Sequence, residues 1–197
     1  MKKIILVLSA VLLSTGAFAQ NRGFEWGVKA GLNLSTVTKF DDTKFKPGFA
    51  AGVFGEYVIS DFFGVQAELL YSMAGFKYKE GGLELNDKRD YLILPILAKF
   101  YILERLSVDI GPQFGYALSG KLDLDAGEFT GAGKYYDDDF KKFDITAAMG
   151  LSYKFGFGLD VFARYNLGLT KLFDNKAPLF GKDAKNSAIQ VGVGYRF

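Results

Sequence analysis

Chemistry in this chain would have to run on carboxylates, lysine, tyrosine or serine, because it contains no histidine and no cysteine. Without an imidazole base, Ser-His-Asp and Cys-His catalysis are excluded. Thiolate and imidazole zinc sites are excluded with them, as are a disulfide framework and a lipid-anchor cysteine. The densest carboxylate cluster is Asp137-Asp138-Asp139, followed by Lys141-Lys142, with a smaller one at Asp41-Asp42 near Lys44 and Lys46. Hard cations bind carboxylate oxygens, but the spacing is not that of a calcium-binding loop, so both clusters read as solvated loop tips. Gly127, Gly131 and Gly133 lack the Gly-Lys-Ser/Thr of a phosphate loop. Paired carboxylates for glycoside cleavage would need a cleft, and none is indicated. The expectation is a protein that is not an enzyme, with no catalytic residue, metal site or cofactor.

The more informative charges are scattered. Lys29, Glu56, Glu68, Lys99, Asp109, Asp144, Asp160, Arg164 and Arg196 each fall on the polar parity of a segment that alternates polar with apolar. Period-two alternation marks a strand with two unlike faces. In residues 24–37 the apolar row is Trp26, Val28, Ala30, Leu32 and Leu34, opposite Gly27, Lys29, Gly31, Asn33 and Ser35. Similar rows run through residues 48–59, 62–76, 106–118, 142–154 and 158–170, and from Ile189 to Phe197. Residues 91–101 are apolar on both parities, and there only Lys99 marks the odd positions as the polar face. These are eight strands of roughly 10–14 residues, long enough for the ~9–11 that a tilted membrane strand needs. Pro95 and Pro112 fall in neighbouring strands, where each removes a ladder donor and predicts a bulge or weakened pairing.

The connections alternate. Ser60-Asp61, Leu103-Glu104-Arg105 and Phe155-Gly156-Phe157 are tight, whereas 38–47, 77–90, 119–141 and 171–186 read as long polar loops. Short turns on one rim and long loops on the other are the asymmetry of an outer-membrane barrel. The beginning of the chain agrees. Met1-Lys2-Lys3 is cationic, Ile4 to Leu13 is apolar, and Ala17-Phe18-Ala19 precedes Gln20. That is the pattern of a secretory signal peptide over residues 1–19, cleaved after Ala19, leaving a barrel domain over 20–197.

Alternation alone is equally compatible with a water-soluble, lipocalin-like barrel that binds an apolar ligand, with its faces exchanged. Two further features favour lipid. The polar rows are rich in Gly, Ala and Ser, as a narrow eight-stranded interior requires, and they lack the dense Lys and Glu of a solvated surface. Aromatics of the apolar rows gather near the short turns: Trp26, Tyr57, Phe63, Phe100, Tyr153, Tyr195 and Phe197. Such girdles sit at membrane interfaces. In lipid the first and last strands must pair, because an open strand edge cannot be satisfied there. The fold expected is all-β: an eight-stranded antiparallel up-and-down transmembrane β-barrel. The nine charges then face inward and form a structural polar network, since unpaired buried charges are costly.

With those strands in hand, the chain resembles the small outer-membrane β-barrel domain of the PorT family, common in Bacteroidetes. The resemblance rests on Gly27-Val28-Lys29-Ala30-Gly31-Leu32-Asn33, on Tyr91-Leu92-Ile93-Leu94-Pro95-Ile96-Leu97-Ala98-Lys99-Phe100, and on Gly111-Pro112. Ile93 stands where that family usually carries an acidic residue. The resemblance implies an accessory role in protein secretion across the outer membrane. The residues themselves point to a structural or loop-mediated binding role at the cell surface. The partners expected are outer-membrane lipid and lipopolysaccharide (whose phosphates the loop lysines could meet), the barrel assembly machinery through Phe197, and a protein held by the loops. Lys+Arg exceeds Asp+Glu by only 24 to 22, so no basic field exists to draw nucleic acid.

Overall fold

The computed structural model describes residues 23–38, 43–44, 46–80, 83–125, 130–134, 142–170 and 185–197. The proposed signal peptide, the Asp41-Asp42 and Asp137-Asp138-Asp139 clusters, Gly127, and most of the 171–186 loop lie outside them. Among the described residues ten strands form: β1 (Phe24–Thr38), β2 (Thr43–Lys44), β3 (Lys46–Ser60), β4 (Phe63–Glu80), β5 (Leu83–Leu103), β6 (Leu106–Asp125), β7 (Thr130–Lys134), β8 (Phe143–Lys154), β9 (Leu159–Gly168) and β10 (Lys185–Arg196). Eight of them close a ring in the order β1-β3-β4-β5-β6-β8-β9-β10, every neighbouring pair antiparallel. The seam is continuous from Gly27↔Arg196 to Thr38↔Lys185. Beyond it, the Phe197 amide donates to the Trp26 carbonyl at 3.0 Å.

The two faces of the ring fall as the alternation requires. Leu32, Phe49, Leu69, Ile96, Ile110, Met149, Leu151, Tyr165 and Val191 are exposed on the outside. The buried side chains are mostly polar, with five cations and five anions among the described residues. A soluble barrel keeps its apolar rows inside, so the lipocalin-like alternative fails. Near the short turns, Trp26 packs on Phe197 (ring centroids 4.7 Å) and Phe63 on Phe100 (5.3 Å). Phe155 joins this girdle against Tyr153 (4.9 Å) and Phe157 (5.5 Å). A second set lies toward the opposite rim, where Phe49 faces Tyr71 and Phe114 faces Phe143. Rings at two heights suit the two interfaces of a bilayer.

The prolines interrupt pairing without shifting it. The β5–β6 ladder holds one register from Tyr91↔Ala117 to Tyr101↔Ser107, but Ile96 and Leu97 go unpaired with Pro112 and Gly111. Opposite Pro95, the β4–β5 ladder lapses between Ala67↔Ile96 and Leu70↔Ile93. The register shifts lie elsewhere, at Val58/Ser60, Asp90/Tyr91 and Tyr101/Leu103.

One expectation needs correction. Residues 77–80, 83–90 and 119–125 are strand and not loop. β4 and β5 stay paired to Glu80↔Leu83, and β5 and β6 to Glu84↔Asp125. β2 adds to β4, and β7 to β6. The result is a raised sheet, β2-β4-β5-β6-β7, standing over one side of the rim. β5 has 21 residues against 10 in β9. It exceeds what a membrane strand needs by about ten residues, or ~30 Å of strand before tilt. Apolar alternation ends where lipid ends, but backbone hydrogen bonding continues into water.

Candidate functional site

The lumen divides into two levels. The lower, nearer the short turns, is built of charge. Arg196 on β10 holds both oxygens of Asp160 through Nε (3.0 and 2.9 Å), Glu25 through Nη1 (2.5 Å) and Glu56 through Nη2 (2.8 Å). Glu25 also pairs with Lys154 at the rim. Glu56 on β3 accepts from the Tyr101 hydroxyl and faces Lys99 Nζ at 3.2 Å. Lys99 on β5 donates to Gln66 Oε1 (3.1 Å) and stands 3.9 Å from Asp109. Asp109 on β6 accepts from Ser107 (2.7 Å) and from Ser152 on β8. Gln66 Nε2 donates to Glu68. Glu68 on β4 takes the forked Arg164 from β9 (2.7 and 3.0 Å) and Lys29 from β1 (2.7 Å). Every strand of the ring therefore contributes to one connected set of ion pairs and hydrogen bonds, many of them charge-assisted.

Two aromatics complete this level. Phe54 and Phe162 are buried in the lumen, on the polar parity. Lys29 Nζ lies between them, 5.1 Å from the Phe54 ring centre and 4.6 Å from that of Phe162. Arg196 stacks at 5.3 Å on Phe54, and Arg164 at 5.5 Å on Phe162. These distances suit cation–π attraction. Each ring lies directly cross-strand from a glycine, Gly27↔Phe54 and Gly192↔Phe162. A Cβ on either glycine would come within 2.8 Å of that ring and closer still to a neighbouring carbonyl. Even alanine is excluded there. The glycines are the slots into which the rings lie flat.

The upper level has a different chemistry. Leu70, Tyr91, Ile93 and Ala117 form an inward apolar cluster on the β4–β5–β6 wall. Ile93 thus occupies a greasy site inside a polar tube. Facing it across a cavity of about 40 Å³ are Gln113, Thr146, Asn166 and Gln190. Asp144 lines the same cavity and accepts from the Thr170 hydroxyl. Asn33 donates to Ser72 at 2.8 Å. A second, open hollow of about 400 Å³ lies at the short-turn rim among Glu25, Arg105, Lys154, Arg196 and Phe197.

All nine inward charges named from the sequence are buried in the lumen. Eight join the lower network, while Asp144 sits apart in the upper level. Arg89 is buried too, although the sequence assigns it to a loop. Phe54 and Phe162 are apolar residues on the polar row, so alternation alone does not mark them. Their signal was the glycine opposite each, visible only once the register is known. Among the described residues no group of three or more Asp or Glu is placed to hold a metal, and no helix is long and apolar enough to cross a membrane.

Comparison with known proteins agrees with this architecture. Residues 18–174 match the family model described as outer membrane protein beta-barrel domain. The crystal structure of Ail, the attachment invasion locus protein of Yersinia pestis, in complex with the heparin analogue sucrose octasulfate, is 20% identical with a TM-score of 0.54, covering 89% of this chain and all of that one. The crystal structure of Neisserial surface protein A is 15% identical with a TM-score of 0.54, covering 89% of this chain and 98% of that one. At such identities the likeness is one of fold. No curated protein matches the chain.

Proposed function

Because the chain belongs to the outer membrane protein beta-barrel domain family, we propose that it is a non-enzymatic barrel that works at the cell surface through what it holds above the membrane. The observation that carries this reading is the contrast between the lumen and the rim. The lower lumen is crossed by ion pairs and hydrogen bonds that together reach every strand, the build of a brace and not of a channel. The raised sheet, by contrast, is a hydrogen-bonded surface that continues beyond the length a membrane strand needs. Binding function sits on such exposed segments, positioned by a stable scaffold. The sheet would present a protein partner with an ordered face. Lipopolysaccharide would meet the outer belt and the loop lysines, and Phe197 would be read by the assembly machinery after removal of residues 1–19.

The test shortens the β4–β5 hairpin to a tight turn after Phe76. The reading expects the shortened barrel to stay heat-modifiable on gels and to lose a partner crosslinked to the surface of intact cells. Crosslinked partners unchanged by the deletion would overturn it. Ion conductance of the intact barrel in a planar bilayer would overturn the reading of the lumen as a brace.

A second reading, an accessory role in protein secretion, is favoured by the PorT-like residues of the fourth and fifth barrel strands, which include Pro95 and Gly111-Pro112. Under it, deleting the gene lowers the amount of exported protein, and an unchanged secretome removes it.

A further inference from the structure

The upper cavity has an asymmetry that bracing does not explain. Gln113, Thr146, Asn166 and Gln190 are each more than nine-tenths buried. Gln113 Oε1, Thr146 Oγ1, Asn166 Oδ1 and Gln190 Oε1 have no hydrogen-bond partner among the described residues. All four of these atoms are oxygens, and three are amide carbonyl oxygens that can only accept. They come from four consecutive strands of the ring, β6, β8, β9 and β10. Gln113 is directly cross-strand from Thr146. The Thr146–Asn166 and Asn166–Gln190 steps are diagonal, through Gly168 and Ala188. Such neighbours lie within reach of one another's side chains. The arc faces a cavity of about 40 Å³, room for about two or three water-sized particles but no organic ligand.

A buried acceptor left unsatisfied is costly, so four around one space call for an occupant that offers only positive charge or donors. Neutral carbonyl and hydroxyl oxygens replace the hydration shell of an alkali ion, as the carbonyl rings of potassium filters do. Divalent ions are held chiefly by carboxylates. The Asp144 carboxylate on the same wall supplies one negative charge nearby. We propose that the upper lumen is a binding site for a monovalent metal cation, coordinated by Gln113, Thr146, Asn166 and Gln190 with one or two accompanying waters. This goes beyond the surface-binding reading and does not depend on it.

The test uses the intact barrel purified from membranes in detergent. Unfolding rates in urea are compared in potassium, sodium and tetramethylammonium chloride at equal ionic strength. One alkali ion should slow unfolding saturably, by about tenfold at ten times its dissociation constant, while tetramethylammonium, too large for the cavity, should not. Thr146→Val with Asn166→Leu should abolish that difference. Equal rates in all three salts, or a difference that survives in the double variant, would overturn the site. Should the double variant not fold, diffraction decides. An anomalous peak among the four oxygens in crystals of the unaltered protein grown in rubidium chloride supports the site, and water alone there refutes it.

Discussion

The two levels of the lumen solve the same problem in opposite ways. Each must fill a narrow tube whose polar face points inward. Below, Lys29, Glu56, Glu68, Lys99, Asp109, Asp160, Arg164 and Arg196 satisfy one another, four cations against four anions. Above, neutral amides and a hydroxyl face an apolar wall, and four of their oxygens stay open. The difference teaches that polarity alone does not make a plug. A lumen is rigid where donors and acceptors balance, and receptive where one kind is in surplus.

The comparison breaks most readily at its hub. Glu68→Ala strands Lys29 and Arg164 as buried, unpaired cations and should cost about 3–5 kcal/mol, read from urea unfolding in lipid vesicles by Trp26 fluorescence. A change below about 1 kcal/mol would mean that the lower level is not locked by this carboxylate. Outside the tube, Met149 is 57% exposed near the middle of β8. Met149→Arg should cost about 2–4 kcal/mol at the membrane midplane, and an unchanged unfolding midpoint would contradict the assignment of faces. In the upper level the sign turns. Asn166→Leu, measured in tetramethylammonium chloride, should shift stability by no more than about 1 kcal/mol, toward the folded state, because it deletes an unsatisfied acceptor. A loss as large as that of Glu68→Ala would erase the distinction between levels. Smallest is the rim: Lys154→Ala removes a partly exposed pair with Glu25 and should cost under about 1 kcal/mol by the same unfolding assay.

What the sequence makes legible follows from the solvent. Trp26 to Leu34 and Leu159 to Leu169 declare their faces because lipid on one side and a polar lumen on the other impose opposite chemistries at every second residue. The inward charges are readable for the same reason. Where lipid ends, that constraint ends, so the paired extensions of β4, β5 and β6 look like loops and Arg89 is lost among them. Phe54 and Phe162 are hidden for a different reason. Their placement depends on Gly27 and Gly192, distant in sequence and adjacent only through the register. The upper site is hidden most deeply, because an amide reads alike whether its oxygen is satisfied or open.

The raised sheet also gives the tube a heading. A rim of even height looks the same from every side, but among the described residues the paired strands run longer in β4, β5 and β6 than in β8 and β9. Turning the molecule about the membrane normal therefore changes what a neighbour in the same leaflet encounters: the standing β4–β5–β6 wall on one approach, the shorter strands β8 and β9 on the other. Any lateral companion would be met on a preferred side, so crowding in the bilayer plane becomes directional.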